Sequence, residues 1–392
     1  MGNETVVCLS GGKITVVKGG KGEALSSSAA ESYVRNIKEI RAKNDWKKSG
    51  AGAMFTGMEQ LMGEQETAVP LVSGLSAAAD GTLVYSLTAG DMAGLYTKDL
   101  AKPEEKDGYI LTKRGLQFFE PDSHNGRIAL AVGDGARERH LAVVTTDSTD
   151  VAVCTEGECR DANPKWSRNE ENVVLYDSCG LGFDGKLRFV QYGPRSIYRV
   201  NVKTGDLEEL LEGTEKAEYL LPFEAADGTL YCIRRPYREK ARAEMTPLDV
   251  LFLPVRVLKA MFGWLDFFSR RYGGEALKTG GQNPAKSKPK SEEELFVEGN
   301  LLEADRNLKE NAGRGEKNPG YIPPSWELIA RKPNGETEVL RKGVLDYSVQ
   351  ADGLVFSNGK YILRRVGADE AVLGEARLGV NLAVLPGQEG AQ

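Results

Sequence analysis

Leu75-Ser76-Ala77-Ala78-Ala79-Asp80-Gly81-Thr82-Leu83-Val84-Tyr85-Ser86 is the stretch whose reading decides the fold. A small, polar run leads into Asp80-Gly81, and an apolar segment of β type follows. Gly takes a positive φ without strain and Asp bonds its own backbone two residues on, so the pair marks a tight turn between strands. Gly94 to Leu100 supplies the next strand. The pattern returns in Phe118 to Leu130 around Asn125-Gly126, in Asn163 to Tyr176, in Phe223 to Tyr231 around Asp227-Gly228, and in Ser348 to Ser357 around Asp352-Gly353. The turns advance by about 45 residues, again by about 45, then by somewhat more, before one long jump; this is the period of a four-stranded propeller blade. One blade cannot bury both its faces, whereas a ring of blades buries them and leaves only short edges.

The third copy carries the most specific residues. Pro164-Lys165-Trp166-Ser167 opens it, and Ser196-Ile197-Tyr198-Arg199-Val200-Asn201-Val202 with Thr204-Gly205 and Leu210 closes it. These resemble the repeats of TolB-like or WD40-like propellers, which run from Pro-x-Trp-Ser-Pro-Asp-Gly through an Ile-Tyr strand to a Thr-Gly turn. The departure is Arg168-Asn169-Glu170, where the family has Pro-Asp-Gly. The resemblance covers about two thirds of the chain and implies a propeller; it is nearly silent on function, because such rings serve many roles.

The strand-like segments Thr5 to Leu9 and Ile14 to Val17 are available to pair with Val380 to Leu385 and complete one blade from both ends of the chain. The expected fold is all-β: a single propeller over residues 1–392 of about six four-stranded blades, with five or seven as the neighbouring counts, and two helical insertions.

The first insertion, 26–66, opens on Ser28-Ala29-Ala30-Glu31, which has the form of a capping box, and places Tyr33, Ile37 and Ile40 on one helical face. The second, 238–323, lies inside one blade, whose next strand resumes at Trp326 to Ala330. Thr246-Pro247 has the form of a helix start and Gly273-Gly274 of its end. Between them Leu251, Val255, Leu258, Phe262 and Leu265 form one stripe, widened by Phe252, Met261, Trp264, Phe267 and Phe268. Arg256, Lys259, Asp266 and Arg270 form the opposite stripe, and Arg271 follows it. Each of the charges at Asp249, Arg256, Lys259 and Asp266 would cost roughly 2.5 to 3.5 kcal/mol near a bilayer centre, which excludes a span. An aromatic face beside basic residues suits a membrane interface or a groove on a partner, and equally a helix folded back on the ring. Lys278 to Glu294 is polar and reads as a linker.

With 392 residues, 41% of them hydrophobic, the chain can bury a substantial core, and its 45 glycines suit many tight turns. A net charge of -6 with dispersed Lys and Arg excludes the basic footprint of a nucleic-acid binder. No basic and apolar leader opens the sequence, position 6 is Val rather than the Ser or Thr of a myristoylation motif, and the five cysteines are scattered. The expected location is therefore the cytoplasm, or its inner membrane face, and TolB's periplasmic role is not expected to carry over.

Cys154, Cys159, Cys179 and His140 are the available zinc ligands, but Cys154-x4-Cys159 is wider than usual zinc spacing, and free thiols with no metal are expected. A Ser-His-Asp triad would have to use His124 or His140, and no Gly-x-Ser-x-Gly elbow is present. Ser10-Gly11-Gly12-Lys13 lacks phosphate-loop spacing and reads as a hairpin turn; Gly180 to Gly185 reads as a blade loop. No catalytic residue or cofactor is expected. The reading is a non-enzymatic scaffold or protein-interaction protein, docking to a protein partner or a membrane surface through Leu251, Phe252, Val255, Leu258, Met261, Phe262, Trp264, Leu265, Phe268, Arg270 and Arg271. The alternative is an enzyme or small-molecule sensor with its ligand in the propeller channel.

Overall fold

The structure is a computed structural model, and it describes residues 5–44, 70–133, 137–147, 149–183, 189–237, 294–297 and 300–385. The described strands form six blades, each a meander of at least four antiparallel strands. Blade 1 holds β1 (Thr5–Ser10), β2 (Lys13–Lys18) and β3 (Lys21–Leu25). After it comes α1 (Ser28–Asn44). Blade 2 is β4 (Leu71–Ala77), β5 (Leu83–Ala89), β6 (Met92–Lys98) and β7 (Gly108–Arg114). Blade 3 is β8 (Gln117–His124), β9 (Arg127–Gly133), β10 (His140–Thr145) and β11 (Ala152–Val153). Blade 4 contains β12 (Cys159–Trp166), β13 (Val173–Phe183), β14 (Phe189–Tyr192), β15 (Ser196–Asn201) and β16 (Leu207–Leu211), with β14 paired only to the far end of β13.

Blade 5 begins with β17 (Glu218–Glu224) and β18 (Leu230–Arg235). A hairpin, β19 (Glu294–Val297) with β20 (Asn300–Glu303), and α2 (Ala304–Gly313) precede its outer strands β21 (Glu327–Arg331) and β22 (Thr337–Lys342). Blade 6 is β23 (Asp346–Gln350), β24 (Gly353–Ser357), β25 (Tyr361–Val366) and β26 (Asp369–Glu375). The last strand, β27 (Val380–Leu385), pairs with β1 in the register Thr5↔Leu385, Val6↔Val384 and Val7↔Ala383, so it is the inner strand of blade 1. Both ends of the chain thus complete one blade, as the sequence implies.

The turns explain the repeat. In Ala78 to Thr82, Asp80 Oδ1 accepts the Thr82 N–H at 2.9 Å, and Gly81 stands at φ 81. In Ala225 to Thr229, Asp227 Oδ1 accepts the Thr229 N–H at 2.9 Å, and Gly228 stands at φ 78. Equivalent places in adjacent blades are joined directly. Ser73 Oγ donates to the Phe118 carbonyl 45 residues on, and Ser76 Oγ accepts from the Ser123 N–H 47 residues on. The separations are those of the sequence period.

Apolar side chains fill the seams between blades. Val84, Leu95, Phe118 and Leu130 pack between blades 2 and 3; Ala129, Leu141, Trp166 and Val174 between blades 3 and 4; Ile233, Leu328, Tyr347 and Phe356 between blades 5 and 6; Val6, Val17, Val355 and Ile362 between blades 6 and 1. Full burial of each such side chain contributes roughly 1.5–3 kcal/mol.

The chain divides into two compact units: the ring (Met1–Leu25, Val72–Lys240 and Lys290–Gln392) and a second unit (Ser26–Leu71 and Ala241–Pro289). In the second unit α1 is the described helix. Its cap is Ser27, whose Oγ accepts the Ala30 N–H at 3.1 Å, one residue ahead of the Ser28 that the capping-box pattern suggests. In the ring, α2 lies within the stretch 238–323 where the sequence shows no second helix. It has no strong apolar stripe; instead Asn311 is buried and donates to the carbonyls of Gly320 and Ile322, both at 3.0 Å. Gly320 is needed there, since a Cβ would stand 2.3 Å from the Asn358 carbonyl oxygen. Among the described residues no helix is long and apolar enough to cross a membrane.

Candidate functional site

All six inner strands line one cavity of about 240 Å³ on the ring axis. Its walls are set by a distortion repeated from blade to blade. Glu120, Asn163, Leu221 and Asn381 have φ of 50, 52, 54 and 52, each in an inner strand, and the ladder of each slips at or beside that residue. A left-handed residue without glycine's freedom costs about 1 to 2 kcal/mol, so something must hold it. In three of the four the next residue is proline, Pro121, Pro164 or Pro222, which has no N–H for the bulge to orphan.

The bulged N–H groups are held by carboxylates of the preceding blade. Glu120 Oε2 accepts the Asn163 N–H at 2.8 Å. Asp177 Oδ2 accepts the Leu221 N–H at 3.0 Å, and Asp346 Oδ2 accepts the Asn381 N–H at 2.6 Å. Asp177, fully buried, also accepts from Asn163 Nδ2 at 2.7 Å and pairs with Arg195 at 2.5 Å. Asp122 accepts the Trp166 N–H at 3.0 Å and Lys165 Nζ at 3.0 Å. Burial pushes the Asp346 carboxyl up to about 6, against the Asn381 N–H and the Lys165 charge, which favour its ionised form. Arg168 also lines the cavity; its Nη2 is 3.7 Å from Asp122, and its buried Nη1 has no hydrogen-bond partner among the described residues. The channel wall mixes apolar side chains such as Leu75, Phe223 and Leu382 with two cations, Lys165 and Arg168, and with carboxylates that tie blade to blade.

The histidines stand apart from the channel. His124 ends β8, in contact with Asn125 Nδ2 at 3.1 Å, and its pKa is lowered by burial and then by the Arg168 charge. His140 opens β10 on the opposite side of the blade, 3.8 Å from Cys159 Sγ through Nδ1. The four zinc candidates of the sequence do not meet. Cys154 packs beside Val143, its N–H donating to the Leu141 carbonyl, and Cys179 is buried on the face of β13 away from Cys159. Asp161, which the spacing does not single out, joins His140 and Cys159, with the three donor atoms within 4.8 Å of one another. Burial, then the Asp161 charge, pushes the Cys159 thiol up to about 12. All five cysteines are free.

The residues singled out for docking, Leu251, Phe252, Val255, Leu258, Met261, Phe262, Trp264, Leu265, Phe268, Arg270 and Arg271, lie outside the described residues. What sequence reading missed is the channel-wall set, Glu120, Asp346 and Arg168, with Asp177 buried behind it. The signal for it is a recurring x-Pro at the blade period, in Glu120-Pro121, Asn163-Pro164 and Leu221-Pro222.

No protein-family model matches the sequence, and no curated protein matches it. Solved structures similar to the chain include TolB from Acinetobacter baumannii, at 10% identity and a TM-score of 0.48, covering 98% of this chain and 67% of that one. Putative TolB from Agrobacterium tumefaciens aligns at 10% identity and a TM-score of 0.37, over 80% of this chain and 89% of that one. Puromycin hydrolase aligns at 15% identity and a TM-score of 0.28, over 44% of this chain and only 26% of its own length. The fold itself rests on the strand pairing: the chain is a six-bladed β-propeller.

Proposed function

We propose that this protein is a non-enzymatic interaction protein, a ring that holds a partner rather than one that transforms a substrate. The observation that carries this reading is the commitment of the carboxylates in the channel wall and just behind it. Glu120, Asp177 and Asp346 each hold a bulged N–H of the next blade, and Asp122 holds the Trp166 N–H and Lys165. A general acid or base has to exchange its proton with a substrate within hydrogen-bond reach, and these groups are engaged with the backbone of the next blade. The partner in this reading is another protein in the cytoplasm, with peripheral contact to the inner membrane face, and the docking segment is the aromatic stripe of 247–272. Phe262→Asp together with Leu265→Asp tests it. Association with liposomes or with a captured partner should fall while the melting temperature stays within a degree or two of wild type. Wild-type protein that binds neither, with a variant that melts much lower, would overturn the docking role.

A second reading rests on Arg168. Its unpartnered Nη1 and the nearby Lys165 suit the anionic group of a small ligand in the channel. A thermal-shift screen of small carboxylates and phosphates separates the two readings. A shift that disappears in Arg168→Ala favours a sensor, and no shift favours the interaction protein.

A further inference from the structure

The seam between blades 3 and 4 brings together side chains of a different kind from those in the channel. Cys159 and Asp161 are two apart on β12 and so project from the same side of the strand. His140 belongs to β10 of the neighbouring blade. The backbone sets it alongside: the Arg139 N–H donates to the Cys159 carbonyl at 3.3 Å, and the Asp161 N–H donates to the Arg139 carbonyl at 3.0 Å. Imidazole Nδ1 and thiol Sγ stand 3.8 Å apart, and the Asp161 carboxylate completes a triangle within 4.8 Å. Nitrogen and sulfur ligands at about 2.0 and 2.3 Å from a tetrahedral zinc lie roughly 3.5 Å from each other, so small side-chain movements suffice.

Two further features fit a metal. Asp161 is oriented from behind: Ser178 Oγ donates to Oδ1 at 2.6 Å, and Thr155 Oγ1 donates to Oδ2 at 2.5 Å while accepting the Leu141 N–H at 2.8 Å. Ligating carboxylates are held by outer hydrogen bonds of this sort. On the same side of the sheet, the residue paired with Cys159 is Gly180, and a Cβ built there would meet nothing within 4 Å. Three protein ligands with space beside them leave room for a water or an exogenous group in the fourth position.

We propose that His140, Cys159 and Asp161 form a binding site for a divalent metal of the zinc type, with a fourth position open beside Gly180. Imidazole and thiolate donors favour zinc over calcium or magnesium, which take oxygen ligands. The thiol proton of Cys159 passes to water as the metal–sulfur bond forms. The proposal departs from the expectation, read from the sequence, of free thiols without a metal, and its ligand set differs from the Cys154, Cys159, Cys179 and His140 set weighed there.

The test uses the full chain, stripped with chelator and titrated with Co²⁺. A thiolate-to-cobalt charge-transfer band should appear in the near ultraviolet and saturate at one equivalent. Cys159→Ser should abolish the band, His140→Ala and Asp161→Asn should weaken binding at least about tenfold, and Cys154→Ser should leave it unchanged. Zn²⁺ should raise the melting temperature of wild type and of Cys154→Ser, but not of Cys159→Ser or His140→Ala, which separates lost binding from lost folding. The absence of a band at millimolar Co²⁺, a band surviving in Cys159→Ser, or the absence of any zinc-dependent shift in wild type would overturn the site.

Discussion

The channel wall and the seam between blades 3 and 4 both carry polar groups, and they use them in opposite ways. In the channel each carboxylate meets a donor that the fold itself creates, a bulged N–H or a cation of the next strand. At the seam, His140 and Cys159 face each other with no stronger contact between them than one at 3.8 Å, and only Asp161 is anchored. Polar groups that satisfy backbone demands are architecture. Polar groups brought together without such a demand are where binding chemistry is to be sought.

The most severe way to break this contrast is Asp177→Ala. It removes the carboxylate that pairs with the buried Arg195 guanidinium and strips the Leu221 N–H and Asn163 Nδ2 of their acceptor. Urea unfolding should show a loss of about 3–5 kcal/mol. A loss under about 1 kcal/mol would mean that the channel carboxylates do not hold the ring.

Asp346 gives the next effect, through pH. Its native pKa of about 6 stands above the unfolded value of about 3.9. The native state therefore keeps a proton between those values that the unfolded state has lost. This site's contribution is fully present below pH 4 and falls away as pH rises through 6. Asp346→Asn removes the penalty of a buried charge, so its stability relative to wild type should rise by about 2 kcal/mol between pH 4 and pH 7. A pH-independent difference would place the carboxyl back in the ordinary range.

Asn163 sharpens the account of the bulges. Asn163→Ala loses the bond to Asp177 and keeps the left-handed strain, whereas Asn163→Gly loses the bond and relieves the strain. Alanine should be the less stable of the two by about 1 kcal/mol in chemical unfolding. The smallest effect belongs to the seam: without metal, Cys159→Ser should change stability by no more than about 0.5 kcal/mol, because its thiol makes only long contacts, 3.8 Å to His140 Nδ1 and 3.9 Å to the Glu156 carbonyl. A large loss there would make the cluster structural.

The ring was legible in the sequence because its signals are local. Ala79-Asp80-Gly81-Thr82 and Ala226-Asp227-Gly228-Thr229 carry their turn chemistry within a few residues, and the closing strands at both ends announce themselves by apolar content. The channel was not legible. Asn163 and Asn381 are residue types that tolerate positive φ, but Glu120 and Leu221 are not; their conformation is imposed by the neighbouring blade. The seam cluster was half legible. Cys159 and His140 stood out by type, but Cys154 stood out with them, and only the bridge from Arg139 to Arg160, which sets β10 beside β12, brings Asp161 rather than Cys154 to the pair. Residues 294–313 were hidden because α2 is held by asparagine side chains rather than by an apolar stripe.

The pairing of β1 with β27 also orders events in time. As the chain leaves the ribosome, β1, β2 and β3 are made well before their inner partner, β27. Until Val380–Leu385 emerges, the first blade keeps an unpaired strand edge, and such an edge is a template for pairing with other chains. Closure then joins segments far apart in the chain, a slow kind of contact to form. Synthesis halted before Val380 would yield nearly every blade and yet no ring, with the exposed edge of β1 as the point where such a product aggregates.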